Sequence, residues 1–174
     1  MSKSTPSVAR QIGVFAMLLA VVTAIATLGS LATIPNTEGW YASAAKVPWN
    51  PPSSVFGPAW TVLYVLIAIA GYLIWRAGFA GQGRPNRANR VLQIYAVQLV
   101  LNGLWTPIFF AGFPLVGAAA WWVALVVIVA LILTVIWLIA AAWPHSRPAA
   151  LMFVPYLLWL VFASTLNLGI IILN

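Results

Sequence analysis

The sequence predicts an all-α membrane protein that folds as one bundle of five transmembrane helices. Of its 174 residues, 64% are hydrophobic and only 5% are charged, a composition far from that of soluble globular domains. The apolar residues fall in runs of about 20, the length of helix that crosses a hydrocarbon core of about 30 Å. The charged residues lie between these runs. We therefore expect a single helical domain over residues 1–174.

Proline, glycine and polar residues mark where the five helices begin and end. The clearest break is the segment 77–89, which is rich in Gly, Arg and Asn. A tight turn at 111–114 makes the third and fourth helices antiparallel neighbours. The fourth run is longer than a span requires, which predicts a tilted helix. We expect helices at about 12–34, 55–76, 91–110, 115–142 and 149–173, with the Pro-rich segment 35–54 as a long first loop.

The first apolar run has a second interpretation. Ser30-Leu31-Ala32 is similar to a small-x-small cleavage site, which would make the run a secretory signal. The apolar region of such signals is about 7–15 residues long. The run over residues 12–34 exceeds this length and carries no charge, which favours a transmembrane helix.

Eight basic residues and one acid, Glu38, give the chain a net charge of +7. A basic soluble face would suggest a nucleic-acid partner, but these residues lie between membrane spans, so no nucleic-acid partner is expected. With five crossings, one side of the membrane carries a single basic residue, Lys46. The other side carries Lys3, Arg10, Arg76, Arg84, Arg87, Arg90 and Arg147. We expect a bacterial cell-membrane protein, and for such a protein the positive-inside rule predicts a cytoplasmic amino terminus.

Several classes of chemistry are disfavoured by the residues present. The chain has no cysteine, which excludes disulfides, thiolate catalysis and Cys-ligated metals. A single acid cannot supply the paired carboxylates of general acid-base catalysis. No acid, lysine, arginine or histidine lies between the ends of a predicted helix, which argues against an ion-coupled transporter. His145, the one histidine, is interpreted as a solvated loop residue rather than an axial haem ligand, and no metal site is expected.

Aromatic residues are abundant, with ten Trp, eight Phe and five Tyr. Many of them fit the belt of amphipathic rings found at membrane interfaces. This interpretation covers Trp40, Tyr41, Trp49, Trp75, Trp121, Trp122 and Trp143. It does not cover Trp105, Trp137 or Trp159, which lie inside apolar runs.

Helical spacing brings some interior aromatic residues together with scarce polar ones. Residues three, four or seven positions apart share a helix face. The sets that do so are Trp60 and Tyr64 on the second helix, Asn102, Trp105 and Phe109 on the third, and Pro155, Trp159, Ala163 and Asn167 on the fifth. Two interpretations remain open at this point. The indoles form a pocket for a large, flat, mostly apolar ligand, or they fill a packed core in which the Asn side chains link helices.

Three segments resemble those of the TspO family of membrane proteins. The first contains Trp40-Tyr41, Lys46-Val47-Pro48-Trp49-Asn50-Pro51-Pro52 and Val55-Phe56-Gly57-Pro58-Ala59-Trp60-Thr61-Val62-Leu63-Tyr64, and it is similar to the first loop and second helix of the family. The second, Gln98 with Asn102-Gly103-Leu104-Trp105-Thr106-Pro107-Ile108-Phe109-Phe110, resembles the third helix. The third, Pro155-Tyr156-Leu157-Leu158-Trp159 followed by Leu166-Asn167, resembles the fifth helix. The resemblance runs from Trp40 onward in the family's order and spacing.

The resemblance implies a five-helix bundle, often homodimeric, with a ligand pocket at one end that the first loop covers as a lid. Family members bind porphyrins such as protoporphyrin IX, haem-related tetrapyrroles, cholesterol in animal members, and synthetic benzodiazepine-type ligands. No cofactor beyond such a ligand is implied. Matched residue by residue, the ligand-contacting positions are Tyr41, Trp60, Tyr64, Asn102, Trp105, Trp159 and Ala163.

Three functions are compatible with this resemblance. The leading one is a membrane receptor or sensor that binds tetrapyrroles and other lipophilic molecules. The second is an enzyme that degrades protoporphyrin with light and oxygen, in which Trp60 and Trp159 are the catalytic residues. The third is a carrier that moves a porphyrin or membrane lipid across the bilayer.

The sequence departs from the family pattern in two places. Val47 follows Lys46 where the family usually has proline, which leaves the path of the lid open. The Tyr and basic residues that recognise sterol after the fifth helix of animal members are missing, so sterol binding through that motif is not supported. A homodimer is still expected, and small residues at Ala16, Ala20 and Ala24 on the first helix offer one face for it.

Overall fold

The computed structural model describes residues 5–174, and the elements over this range are helices joined by turns. They are α1 (Val8–Thr37), α2 (Trp40–Ser43), α3 (Ser53–Ala77), α4 (Asn89–Phe110), α5 (Phe113–Val116), α6 (Ala119–Ala142) and α7 (Arg147–Leu173). Among these, α1, α3, α4, α6 and α7 are long and apolar enough to cross a membrane. The protein is an integral, multi-pass membrane protein built as a five-helix bundle.

Helix α1 is longer at both ends than the apolar pattern indicated. It begins at Val8, where the Ser7 side chain caps the helix by accepting a hydrogen bond from the Arg10 amide. It also continues through Pro35 to Thr37. Proline was expected to end the helix, but the last turn is held by the Asn36 Nδ2 atom, which donates to the Ala32 carbonyl at 2.8 Å. The lid therefore begins after Thr37 rather than at residue 35.

The prediction of one long fourth helix over 115–142 was wrong at its start. The chain forms the short helix α5, then turns at Gly117, whose φ of +64° lies in the left-handed region. Helix α6 begins two residues later and has 24 residues. The turn places Phe113 against Trp121 with ring centroids 4.4 Å apart and nearly parallel planes. A continuous helix from residue 115 would not allow this stacking.

The five long helices form a closed ring in which each has two principal neighbours. Helix α4 packs between α1 and α6, α7 packs between α6 and α3, and α1 contacts α3. The expected antiparallel pairing of the third and fourth spans, α4 and α6, is confirmed. Across the ring, Gly71 of α3 leaves room for the ring of Tyr95, whose hydroxyl donates to the Ile67 carbonyl at 3.1 Å. This close contact of α3 with α4 lies toward the end of the bundle that carries the arginines.

The basic residues gather at one end of the bundle. Arg10 lies in the first turn of α1, Arg76 in the last turn of α3, Arg90 in the first turn of α4, and Arg147 at the start of α7. Arg84 and Arg87 lie in the connection between α3 and α4, and Lys3 lies outside the described residues. Lys46 lies at the opposite end. His145 is exposed beyond α6, with Nδ1 3.3 Å from the Ala141 carbonyl oxygen.

The surface of α1 that faces away from the bundle carries the small residues Ala16, Ala20 and Ala24, which are exposed and line a shallow groove. Ser30-Leu31-Ala32 lie within the helix itself. A homodimer through this face remains a prediction.

Candidate functional site

A large cavity lies inside the bundle at the end opposite the arginines. Helices α1, α3, α4 and α7 supply its walls, and the connection between α1 and α3 covers it. Its volume is about 1230 Å³, larger than the roughly 300–1,000 Å³ that holds a typical small-molecule ligand. Six of the seven residues that the sequence predicts to contact a ligand line this cavity, namely Tyr41, Trp60, Tyr64, Trp105, Trp159 and Ala163.

Trp60 lies at the centre of the aromatic wall. It stacks on Tyr64, one helical turn later on α3, with ring centroids 5.3 Å apart. Its ring lies 6.4 Å from that of Trp105 on α4 and also 6.4 Å from that of Trp159 on α7, which it meets edge to face. Three indoles from three helices therefore surround one side of the cavity. The arrangement presents flat apolar surfaces to whatever the cavity holds.

Asn102 lies behind this wall rather than in it. Its side chain is buried, and its Oδ1 atom accepts a hydrogen bond from the Tyr64 hydroxyl at 3.0 Å. Its Nδ2 atom donates to the hydroxyl of Tyr156 on α7 at 2.7 Å. Asn102 thus supports Tyr64 from behind and ties α3, α4 and α7 together. Of the seven predicted ligand-contacting residues, it is the one that the structure does not place on the cavity surface.

A second buried amide, Asn167, lies in the cavity wall itself. Its Oδ1 atom accepts from the indole N–H of Trp105 at 3.3 Å, and its Nδ2 atom donates to the Trp121 carbonyl at 3.1 Å. The Asn side chains therefore do link helices, as one interpretation of the sequence proposed. Asn167 also borders the cavity, whereas Asn102 does not. Both amides therefore link helices, and one of them also forms part of the cavity wall.

The first part of the lid packs into a cluster of aromatic rings through Trp40. The Trp40 indole N–H donates to the Phe110 carbonyl at 3.0 Å, and its ring lies 4.6 Å from that of Phe113 and 5.3 Å from that of Trp121. Trp121 is only 4% exposed. The assignment of Trp121 to an interfacial belt was therefore wrong, because the α5 turn buries its ring against Phe113 and Trp40. Trp40 is half-buried, and its place in a belt stays a prediction. Trp49, Trp122 and Trp143 are well exposed.

Polar side chains of the lid face the mouth of the cavity. The Tyr41 hydroxyl donates to Oδ1 of Asn50 at 3.0 Å, and burial raises the pKa of the Tyr41 phenol. The Lys46 ammonium lies 4.7 Å from the centre of the Tyr41 ring and donates to the Ala44 carbonyl at 3.0 Å. Glu38 also borders the mouth. The mouth is therefore polar, whereas the deeper wall is aromatic.

Lys46, Asn50 and Phe56 are cavity residues that the site prediction omitted. All three fall within the family-like segment from Trp40 to Tyr64, which was the available signal. The sequence alone did not show how the lid crosses the cavity, and therefore which of its side chains face it. Within residues 5–174, no three His, Cys, Asp or Glu side chains come together in a way that would hold a metal ion.

One polar atom of the aromatic wall has no partner. The indole Nε1 atom of Trp159 is buried and makes no hydrogen bond within the protein. Its ring meets Phe56 edge to face at 5.9 Å. A buried donor without a partner is costly.

Comparison with known proteins agrees with this architecture. The sequence pattern that defines the TspO/MBR family matches residues 16–173. The chain is 42% identical over 160 residues to the tryptophan-rich protein TspO of Archaeoglobus fulgidus, covering 91% of this chain and 95% of that protein. It is 38% identical to the translocator protein of Bos taurus, with 83% of each chain covered.

A third relative is the tryptophan-rich sensory protein of Cereibacter sphaeroides. It is 35% identical, and the match covers 92% of this chain and 90% of that protein. The family pattern and these relatives span nearly the whole bundle, including all four helices of the cavity wall. The chain belongs to the TspO/MBR family of membrane proteins.

Proposed function

We propose that this protein is a membrane receptor or sensor that binds tetrapyrroles, such as protoporphyrin IX or a haem-like molecule, and other lipophilic ligands in the lidded cavity. The observation that carries the proposal is the cavity of about 1230 Å³ walled by Trp60, Trp105 and Trp159. Flat indole faces suit the faces of a conjugated macrocycle. The relatives' names describe a sensory protein and a translocator protein, which fits a binding role in the membrane.

The distribution of charge favours an amphipathic ligand that enters with its apolar rings first. Among the described residues 5–174, Lys46 is the one cation that borders the cavity, and it lies at the mouth. A ring system held among the indoles would leave its carboxylates at this mouth, where the ammonium group stabilises negative charge. Protoporphyrin IX has both parts, an apolar macrocycle and two carboxylates along one edge.

A titration with protoporphyrin IX in the dark tests binding at this site. Quenching of tryptophan fluorescence should saturate in the wild-type protein, and affinity should fall in the double variant Trp60→Phe/Trp159→Phe. The matched control is Trp122→Phe/Trp137→Phe, because these residues are 55% and 64% exposed and lie outside the cavity. Equal affinity in both double variants would reject the proposed site.

A second titration tests the role of Lys46. Lys46→Met should weaken binding of protoporphyrin IX about tenfold or less, the size of a partly exposed charge interaction. The same substitution should leave binding of protoporphyrin dimethyl ester unchanged, because the ester carries no carboxylate. A loss of affinity for both molecules alike would show that Lys46 acts on the shape of the lid rather than on charge.

The enzymatic alternative is favoured by the edge-to-face contact of Trp60 and Trp159 at the cavity wall, since both indoles can be oxidised beside a light-absorbing ligand. Illumination in air separates the two functions. Protein-dependent bleaching of protoporphyrin absorbance that requires both indoles would favour the enzyme. Bleaching no faster than in empty detergent micelles would reject the enzyme and retain the receptor as the proposed function. A carrier would instead give protein-dependent uptake of porphyrin into proteoliposomes in the dark.

We also propose that the arginine-rich end faces the cytoplasm of a bacterial cell and that the cavity opens toward the other side. The absence of cysteine makes this simple to test. In intact cells, a membrane-impermeant maleimide should label Ser43→Cys near the lid but not Gln82→Cys in the α3–α4 connection. The reverse labelling would overturn the orientation.

A further inference from the structure

The lid crosses the final turns of α7, where the side chain of Asn174 forms hydrogen bonds with the lid backbone. The Ala45 amide donates to Oδ1 of Asn174 at 2.9 Å, and Nδ2 of Asn174 donates to the Ala45 carbonyl at 3.1 Å. The same Nδ2 atom also donates to the Ile170 carbonyl at 3.0 Å, which fixes the amide to the helix. Both polar backbone groups of Ala45 are therefore paired with one amide.

Two residues further along the lid, Val47 occupies space that only a glycine on α7 leaves free. A Cβ atom placed on Gly169 would collide with Cγ1 of Val47 and would lie 3.6 Å from its Cβ. The lid backbone and the helix therefore approach closely at this point. Any larger residue at position 169 would push the lid away.

A third contact follows at Trp49. Its indole N–H donates to Oγ1 of Thr165 at 3.2 Å. The Thr165 hydroxyl itself donates to the Phe162 carbonyl at 2.7 Å, so its oxygen is free to accept this bond. Thr165 and Gly169 are four residues apart and share one face of α7.

The lid residues alternate between these contacts and the cavity. Ala45, Val47 and Trp49 contact α7 and do not border the cavity, whereas Lys46 and Asn50 border it. The partners on α7, Thr165, Gly169 and Asn174, are likewise absent from the cavity wall. One side of the segment thus faces the cavity and the other is fastened to the helix.

We propose that Thr165, Gly169 and Asn174 form a latch that holds the lid closed and sets how fast a ligand enters and leaves. They are positioning residues, because they act through the lid and do not touch the cavity. The ligand part of this inference rests on the proposed function. The fastening of the lid does not, and it can be measured without any ligand.

The double variant Val47→Cys/Gly169→Cys tests the latch in a chain that has no other cysteine. The 3.6 Å separation of the two Cβ positions lies within the range of about 3.5–4.5 Å that a disulfide spans. After oxidation, association and dissociation of protoporphyrin IX should slow by about tenfold or more, because opening of the lid is blocked. Reductant should restore both rates in the double variant. In each single cysteine variant, reductant should leave the association and dissociation rates unchanged. Wild-type rates in the oxidised double variant would overturn the latch.

Hydrogen exchange provides the test that needs no ligand. In Asn174→Ala the Ala45 amide should exchange about tenfold faster or more than in wild type, because its acceptor is removed. The control Asn89→Ala, at the other end of the bundle, should leave that amide unchanged. Unchanged exchange in Asn174→Ala would reject the latch. If wild-type protein failed to bind protoporphyrin IX while this exchange result held, the proposed function would fail and the latch would stand.

Discussion

The indole of Trp105 and the side chain of Asn167 form a hydrogen bond of 3.3 Å across the cavity wall, and this bond fixes the orientation of the amide. An indole N–H can only donate and a backbone carbonyl can only accept. Since Nδ2 of Asn167 points to the Trp121 carbonyl, its Oδ1 must face Trp105. One side chain of α7 therefore joins α4 and α6 and sets the plane of a cavity tryptophan.

Replacing Asn167 with leucine should destabilise the bundle. The change keeps the number and branching of the side-chain heavy atoms but removes both hydrogen bonds and leaves the buried Trp105 N–H without a partner. We expect a loss of about 1–2 kcal/mol, as for other polar contacts between membrane helices. Unfolding in mixed detergent micelles measures this. The control Asn36→Leu removes an amide bonded within its own helix, and an equal loss there would contradict the bridging role of Asn167.

Asn102 should matter more for stability than either tyrosine that it contacts. Asn102→Leu breaks both bonds of the Tyr64–Asn102–Tyr156 chain, whereas Tyr64→Phe and Tyr156→Phe each break one. We expect a loss of about 1–2 kcal/mol for Asn102→Leu and roughly half of that for each Phe variant. Thermal unfolding in detergent provides the comparison. If each Phe variant cost as much as Asn102→Leu, the three residues would act as one cooperative unit instead.

Gly71 should be intolerant of alanine although alanine favours helices. A Cβ at position 71 would lie 2.5 Å from Cζ of Tyr95 and disturb the hydrogen bond from Tyr95 to the Ile67 carbonyl. Overpacking of this kind costs about 1–3 kcal/mol. Gly13→Ala is the control, because nothing lies within 4 Å of its added Cβ. Unfolding measurements that found Gly71→Ala as stable as Gly13→Ala would contradict the close packing of α3 on α4.

The fold was largely predictable because hydrophobic run length and charge position are local signals. The errors arose where local signals conflict with tertiary structure. The sequence pattern predicts a helix end at Pro35, but the helix continues to Thr37 with the Asn36 side chain bonded to the Ala32 carbonyl. The apolar pattern predicts a continuous helix through Gly117, but the positive φ of this residue separates α5 from α6.

The sequence predicts which residues lie near the cavity, but not which of them face it and which lie behind other side chains. Spacing placed Trp60 with Tyr64, and Trp105 with Asn102, on common helix faces. Spacing within one helix cannot show which of them faces a cavity and which lies behind another ring. Asn102 is behind Tyr64 because Tyr156 of a different helix holds it there. The latch residues Thr165, Gly169 and Asn174 gave no sequence signal, since their partners lie about 120 positions away.

The Tyr41 phenol should titrate above its ordinary pKa of 10.0, because its burial within the lid disfavours the charged form, while the hydrogen bond with Asn50 offsets part of this. The closed lid then binds this proton more tightly than an unfolded chain does. Its contribution to stability is complete below about pH 10 and falls as the pH rises through the raised pKa. The tyrosinate absorbance of wild type minus Tyr41→Phe reports the midpoint. A midpoint at or below 10 would show that the phenol is solvated.

The cavity beneath the lid is proposed as the ligand site, and a side chain that fills this cavity tests the proposal most directly. Gly57 borders the cavity and Gly13 does not, yet nothing lies within 4 Å of a Cβ added at either position. Both substitutions to leucine place a larger side chain in open space on a long helix. Equilibrium titration with protoporphyrin IX should show saturable binding to wild type and to Gly13→Leu, with affinity reduced about tenfold or more in Gly57→Leu. Equal affinities in all three proteins would contradict the account.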